Sequence, residues 1–135
     1  MNPPCEVRVG ADIVRIADVA RSIETFGDRY LTRLFTEHEL QSCTGSPVVV
    51  ASGLAARFAA KEATIKVLRP PVNSPPWRTI EVRRHEAGWC EICLTGDAAQ
   101  LAADGSITSM AVSLTHEGDV AAAVVVAIGA PEGIV

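Results

Sequence analysis

Ser52-Gly53-Leu54-Ala55-Ala56-Arg57-Phe58-Ala59-Ala60-Lys61-Glu62-Ala63-Thr64-Ile65-Lys66-Val67-Leu68 is the stretch on which the fold turns. Alanine, the best helix former, recurs through it, with Leu54, Phe58, Ile65 and Leu68 as larger anchors. The pattern predicts a helix over 52–68, roughly 25 Å long at the usual rise per residue and able to cross a small domain as its central helix. Glu62 and Lys66 stand at i and i+4 and share one face, a spacing that by itself describes a solvated ion pair. Of the 12 basic residues only Lys61 and Lys66 are lysine, and both sit here, where compact ammonium groups replace guanidinium forks.

Toward the N-terminus, Gly45-Ser46-Pro47 interrupts the pattern, and Thr36-Glu37-His38-Glu39 has capping-box spacing for a short helix. Arg29 to Phe35 reads as one or two helical turns. Ile16, Val19, Ala20, Ile23 and Phe26 recur every three or four residues, which predicts an amphipathic helix over 14–26, stopped by Gly27. Ahead of it, Val7, Val9, Ala11 and Ile13 alternate with Glu6, Arg8, Gly10 and Asp12, the period of a half-buried strand. Asp12 then lies at the strand's exit, where a carboxylate can cap the following helix.

Toward the C-terminus, Arg69 to Pro76 is rich in proline and predicts an irregular connection. Ile80 and Val82, then Trp89 to Thr95, flank a His85-Glu86-Ala87-Gly88 turn as a hairpin. Asp97 is placed to cap a short helix over 98–103. Met110 to His116 and Val120 to Ile128 form a second hairpin about Glu117-Gly118-Asp119, its last strand apolar on both faces as a central strand would be. The order β-α-α-α-β-β-α-β-β describes an α+β domain with the long helix packed on an antiparallel sheet.

With 135 residues, 48% of them hydrophobic and 21% charged, the chain is sized for one domain, 1–135, with a core of its own. The apolar run from Val120 to Ile128 is too short to span a bilayer, and Met1-Asn2-Pro3-Pro4 lacks the layout of a signal peptide, so a cytoplasmic protein is expected. A net charge of −4 argues against a general nucleic-acid or anionic-membrane surface.

Cys90 and Cys93 have C-x-x-C spacing, but on a strand their thiols point to opposite faces. One packed cysteine and one partly exposed, reduced cysteine are therefore expected rather than zinc ligands. Ser113 and His116 near the end of a strand differ in parity, and no G-x-S-x-G accompanies them, so a serine hydrolase is not indicated. His116 alone reads as a rim histidine, and Arg57 as a surface charge unless an anion lies beside it. No Walker loop or dinucleotide fingerprint occurs. If the first strand packs beside the long helix, Asp12, Glu62 and the two lysines would converge, which suits a divalent metal bridging phosphate oxygens.

Gly10-Ala11-Asp12-Ile13-Val14, Arg57-Phe58-Ala59-Ala60-Lys61-Glu62-Ala63 with Lys66 after it, Thr79-Ile80-Glu81-Val82 and Val112-Ser113-Leu114-Thr115-His116 occur in an order and at separations that identify a family. Together they resemble the holo-acyl-carrier-protein synthases, the short group of 4′-phosphopantetheinyl transferases, over nearly the whole chain. The resemblance implies the transferase fold and a Mg²⁺-dependent enzyme that moves 4′-phosphopantetheine from coenzyme A to a serine of an apo acyl carrier protein, releasing adenosine 3′,5′-bisphosphate. Asp12 and Glu62 would hold the metal and Lys66 would stabilise charge at the reacting phosphate. Arg57, Lys61, Lys66, Ser113 and His116 would hold coenzyme A. Arg15 and Arg21 would meet an acidic carrier, and the resemblance further implies a homotrimer with sites between subunits. Carriers of fatty-acid, polyketide or peptide synthesis fit this expectation equally.

Three departures from the family pattern stand out. Ala11 replaces a larger aliphatic residue, and Arg69 to Pro76 replaces a glycine-rich connection. Gln41 stands where an acidic residue is often found, which leaves Glu39, a water or the metal site to help deprotonate the carrier serine. A non-catalytic module that binds coenzyme A or a carrier protein is the alternative from another class, and a purely structural oligomer a third.

Overall fold

The computed structural model describes residues 4–131. Strand β1 (Glu6–Arg15) leads into helices α1 (Ile16–Phe26), α2 (Asp28–Leu34), α3 (Glu37–Ser42) and α4 (Pro47–Leu68). A 3₁₀ turn (Trp77–Thr79) opens the β2 (Ile80–Arg84) and β3 (Cys90–Leu94) hairpin; α5 (Gly96–Asp104), β4 (Ile107–Glu117) and β5 (Val120–Gly129) follow. The α+β class is as expected, with four helices rather than three before β2, because Asp28–Leu34 is a helix in its own right. The strands form two antiparallel ladders, β1-β5-β4 and β2-β3, and the apolar β5 is the central strand of the larger one.

Among the boundaries that differ from the sequence expectation, two have a clear local reason. Gly45-Ser46-Pro47 starts α4: Ser46 accepts the Val49 N–H and Pro47 supplies a first-turn residue with no amide to satisfy. Strand β1 runs on to Arg15, so Asp12 is not an N-cap; it sits in mid-strand opposite Ala123 of β5, and α1 starts without any side-chain cap. Asp97 likewise makes no cap, since α5 begins from Thr95.

The core lies between α4 and the β1-β5-β4 ladder. Ala55, Ala59, Ala60 and Ala63 of α4 are fully buried and meet Ala121, Ala123, Val125 and Ala127 of β5, small residues on both sides that let helix and sheet approach closely. Closest of all is the approach at Gly10, where a Cβ would stand 2.2 Å from the Ala63 carbonyl oxygen. Glycine is required there by space. Gly10→Ala is expected to cost roughly 1–3 kcal/mol of stability, as overpacking of a rigid core does. An unchanged urea midpoint would show that strand and helix do not touch this way.

Arg8 reaches from β1 to the far end of α4. It is buried and donates to the carbonyls of Val67 (2.9 Å) and Gly105 (3.3 Å), placing a cation on the negative end of the long helix. The other face of the larger ladder is bare. Val7, Val9 and Ile13 of β1 are about two-thirds exposed, with Val124 and Ile128 of β5 beside them.

Candidate active site

Residues 58, 62 and 66 of α4 fall one helical turn apart and run along β1. The close contact at Gly10 therefore brings Asp12 against Glu62 and Lys66. Lys66 Nζ donates to the Ala11 carbonyl at 2.7 Å and pairs with Asp12 Oδ1 at 3.5 Å, while about half of the lysine stays exposed. Burial, and then the negative charge of Asp12, hold the Glu62 carboxyl above the usual carboxylate range; Lys66 partly offsets both. Two carboxylates held together with one ammonium form a site short of positive charge.

That donor set fits a small hard cation. Asp12 and Glu62 offer hard oxygens, and no cluster of three or more His, Cys, Asp or Glu occurs among the described residues. Such a pair suits Mg²⁺, which keeps several waters and takes phosphate oxygens as its other ligands. Beside Asp12 a depression of about 460 Å³ opens, lined in part by Arg15, Asp18, Tyr30 and Phe58.

Lys61 does not join this group. Five residues at 100° each leave it about 140° around the helix from Lys66. It is fully buried and paired with an equally buried Glu39 at 2.8 Å. Its remaining donors go to the carbonyls of Trp77 (3.1 Å) and Ile80. Burial pushes the Lys61 pKa down and Glu39 opposes that shift. Glu39 is saturated as well: Oε1 also accepts the Thr36 N–H and Oε2 the Val82 N–H, each at 2.8 Å. The expectations that Lys61 holds coenzyme A and that Glu39 helps deprotonate a substrate are both corrected on this ground, because neither group has a free atom or a path to one. Gln41 lies on the exposed face of α3, donating to Glu37.

On the opposite flank of α4 from Glu62, Arg57 and His116 share a second cleft of about 590 Å³ with Arg84, Cys43, Gly88 and Cys90. Arg57 is no surface charge. It is over nine-tenths buried, donates through Nη1 to the Gly53 carbonyl at 3.2 Å, and has an Nε with no hydrogen-bond partner. A buried guanidinium with an unmet donor, sharing its cleft with Arg84 and His116, is a donor set suited to an anion. Arg84 is the member that sequence reasoning missed, although parity gives it away: it extends the inward row Ile80, Val82 at the end of β2. Ser113 faces away from this cleft. It aligns through Val124 with Ala11 on the bare face of the sheet, whereas Leu114 aligns through Ala123 with Asp12 on the helix side. All four cysteines are free thiols, Cys43 buried and its pKa raised by that burial.

A mid-strand carboxylate, a helical Glu and Lys one turn apart, and an anion cleft on the same helix describe a group-transfer enzyme acting on phosphate. The chain belongs to the 4′-phosphopantetheinyl transferase superfamily, whose model matches residues 8–125. Its sequence is 38% identical, over 92% of the chain and 94% of the relative, to a holo-[acyl-carrier-protein] synthase of Desulforudis audaxviator. Its fold matches the ACPS–CoA complex of Chronobacterium ammoniagenes with a TM-score of 0.78 and 30% identity, covering 92% of this chain and 98% of that one. The acyl carrier protein synthase of Mycobacterium tuberculosis matches with a TM-score of 0.68 and 38% identity, covering 91% and 96%.

Proposed function

We propose that this chain is a Mg²⁺-dependent holo-acyl-carrier-protein synthase that transfers 4′-phosphopantetheine from coenzyme A to a serine of an apo acyl carrier protein. The observation that carries the reading is the convergence of Asp12, Glu62 and Lys66 from two elements onto one partly buried point. In the reaction the serine oxygen bonds to the phosphorus bearing pantetheine, the bridging P–O bond breaks, adenosine 3′,5′-bisphosphate leaves, and the serine proton goes to solvent. Asp12 and Glu62 would hold Mg²⁺, which when bound supplies charge neutralisation on the pyrophosphate. Lys66, fixed at the Ala11 carbonyl, presents its ammonium to the charge that builds in the transition state. Arg57 and His116 take the other phosphates. Arg15, on the rim of the Asp12 depression, and the exposed Arg21 of α1 meet an acidic carrier and speed encounter in a salt-sensitive way. Free thiols throughout suit the cytoplasm.

The carboxylates and the anion cleft lie on opposite flanks of α4, so a complete site calls for neighbouring subunits to contribute one flank each. The bare apolar face of β1-β5-β4 supplies the surface for a homotrimer. Mixing Glu62→Gln with Arg57→Ala subunits, each inactive alone, is expected to restore transfer as subunits exchange. No recovery at any ratio would put both halves of the site in one chain.

Intact mass spectrometry tests the activity itself. An apo acyl carrier protein incubated with the chain, coenzyme A and Mg²⁺ should gain one phosphopantetheine, and a chelator should stop the gain. Measurable coenzyme A binding with no gain on several unrelated carriers would replace the transferase by a non-catalytic binding module.

A further inference from the structure

Cys90 and Cys93 stand three residues apart on β3 and so project from opposite faces of the hairpin, into opposite electrostatic surroundings. Cys93 pairs with Glu81 across the ladder and also feels Glu91 and Arg83. Burial pushes its thiol pKa up; Arg83 opposes that shift and the two carboxylates add to it. Cys90 instead pairs with Arg84 and lines the cleft that holds Arg57 and His116. Among the described residues no carboxylate lines that cleft. Arg57 brings to it a guanidinium over nine-tenths buried, with an Nε that has no hydrogen-bond partner. The cleft has a second thiol, Cys43, but that one is buried, and a Cβ on Gly53 would stand 3.0 Å from its sulfur. Cys90 is partly exposed and open to a reagent that enters.

A thiol in the wall of a cleft suited to anions selects its reaction partner by charge. The reagent class that meets both features is a low-molecular-weight disulfide bearing carboxylates, of which glutathione disulfide is the type, and a cleft of about 590 Å³ has room for the half that stays. We infer that Cys90 is a site of reversible mixed-disulfide formation with an anionic low-molecular-weight thiol, and that the adduct shuts the enzyme by filling the Arg57 cleft. In the step, Cys90 gives its proton to solvent and its sulfur bonds to one sulfur of the reagent. The reagent's S–S bond breaks, and the departing thiolate takes up a proton and leaves as free thiol. A reducing thiol runs the exchange backward. The shutdown rests on Arg57 and His116 taking phosphates of coenzyme A; the modification itself does not.

Peptide mapping of the full, reduced chain after exposure to a disulfide tests the assignment, with Cys93 as the reference thiol on the same strand. The ratio of Cys90 to Cys93 labelling is expected to be about tenfold higher with anionic glutathione disulfide than with cationic cystamine, and the difference should narrow as salt is raised. Phosphopantetheine transfer should fall in step with the Cys90 adduct and return with dithiothreitol. In Cys90→Ser the transfer rate should no longer respond to glutathione disulfide. Equal ratios with the two reagents, a Cys43–Cys90 crosslink in place of the adduct, or a Cys90 adduct that leaves transfer intact would overturn the assignment. Absence of transfer by the untreated chain would instead remove the function on which the shutdown rests, while the labelling ratio would still decide the site.

Discussion

Glu62→Gln is expected to reduce phosphopantetheine transfer by roughly 10³-fold and, in the same molecule, to raise the thermal midpoint at neutral pH. The loss follows from removing one of two carboxylates that would hold the metal. The gain follows from the state of that carboxylate before metal arrives. Burial and Asp12 raise the Glu62 pKa above its unfolded value, so the folded protein binds the proton more tightly than the unfolded chain does. Stability from this group is present below the unfolded pKa and is lost as pH rises through the folded one. At pH 7 the ionised Glu62 thus works against folding, and an amide does not. Calorimetry across pH checks the sign: the advantage of the variant should shrink as the solution is acidified. Added Mg²⁺ should raise the midpoint of the parent and leave that of the variant in place. A variant with full transfer and a lowered midpoint would remove Glu62 from the metal site.

Lys61→Met should unfold the protein far more readily, by about 3–5 kcal/mol, because it strands a buried carboxylate on Glu39. That is a large fraction of the stability of a domain this size. The pair does more than neutralise charge. Glu39 accepts the amide N–H of Thr36 and of Val82, and Lys61 donates to the carbonyls of Trp77 and Ile80, so two side chains tie α3, α4 and β2 at one point. Combining Lys61→Met with Glu39→Gln removes the stranded charge and should recover part of the loss, since one side-chain oxygen remains for those amides. Urea unfolding of both single variants and of the double variant measures the coupling. Additive losses would mean that the two groups do not interact.

Much of this was legible from spacing. The alanine-rich run gave the central helix, Glu62 and Lys66 declared their shared face by an interval of four, and the doubly apolar β5 announced itself as a central strand. What could not be read came from rotation and from distance along the chain. Lys61 and Glu62 are neighbours in sequence yet lie on different flanks of α4, and nothing local to Lys61 shows that Glu39 waits for it inside. Arg57 resembled any surface arginine because the cleft it lines is completed by residues of β4 and the β2-β3 hairpin, which arrive much later in the chain. Asp12 was misplaced by a strand end: a carboxylate just before an amphipathic pattern has the signature of a cap, and only the pairing with Ala123 shows that the strand continues. Ser113 was carried by its motif to a site from which strand parity removes it.

The missing side chain at Gly10 acts as a gauge. Backbone rests on backbone there, strand against the Ala63 carbonyl, and the main-chain positions from which Asp12 and Glu62 project are held by that contact. In the proposed metal site, a residue with no functional group would then set the distance from which the two carboxylates reach toward an ion.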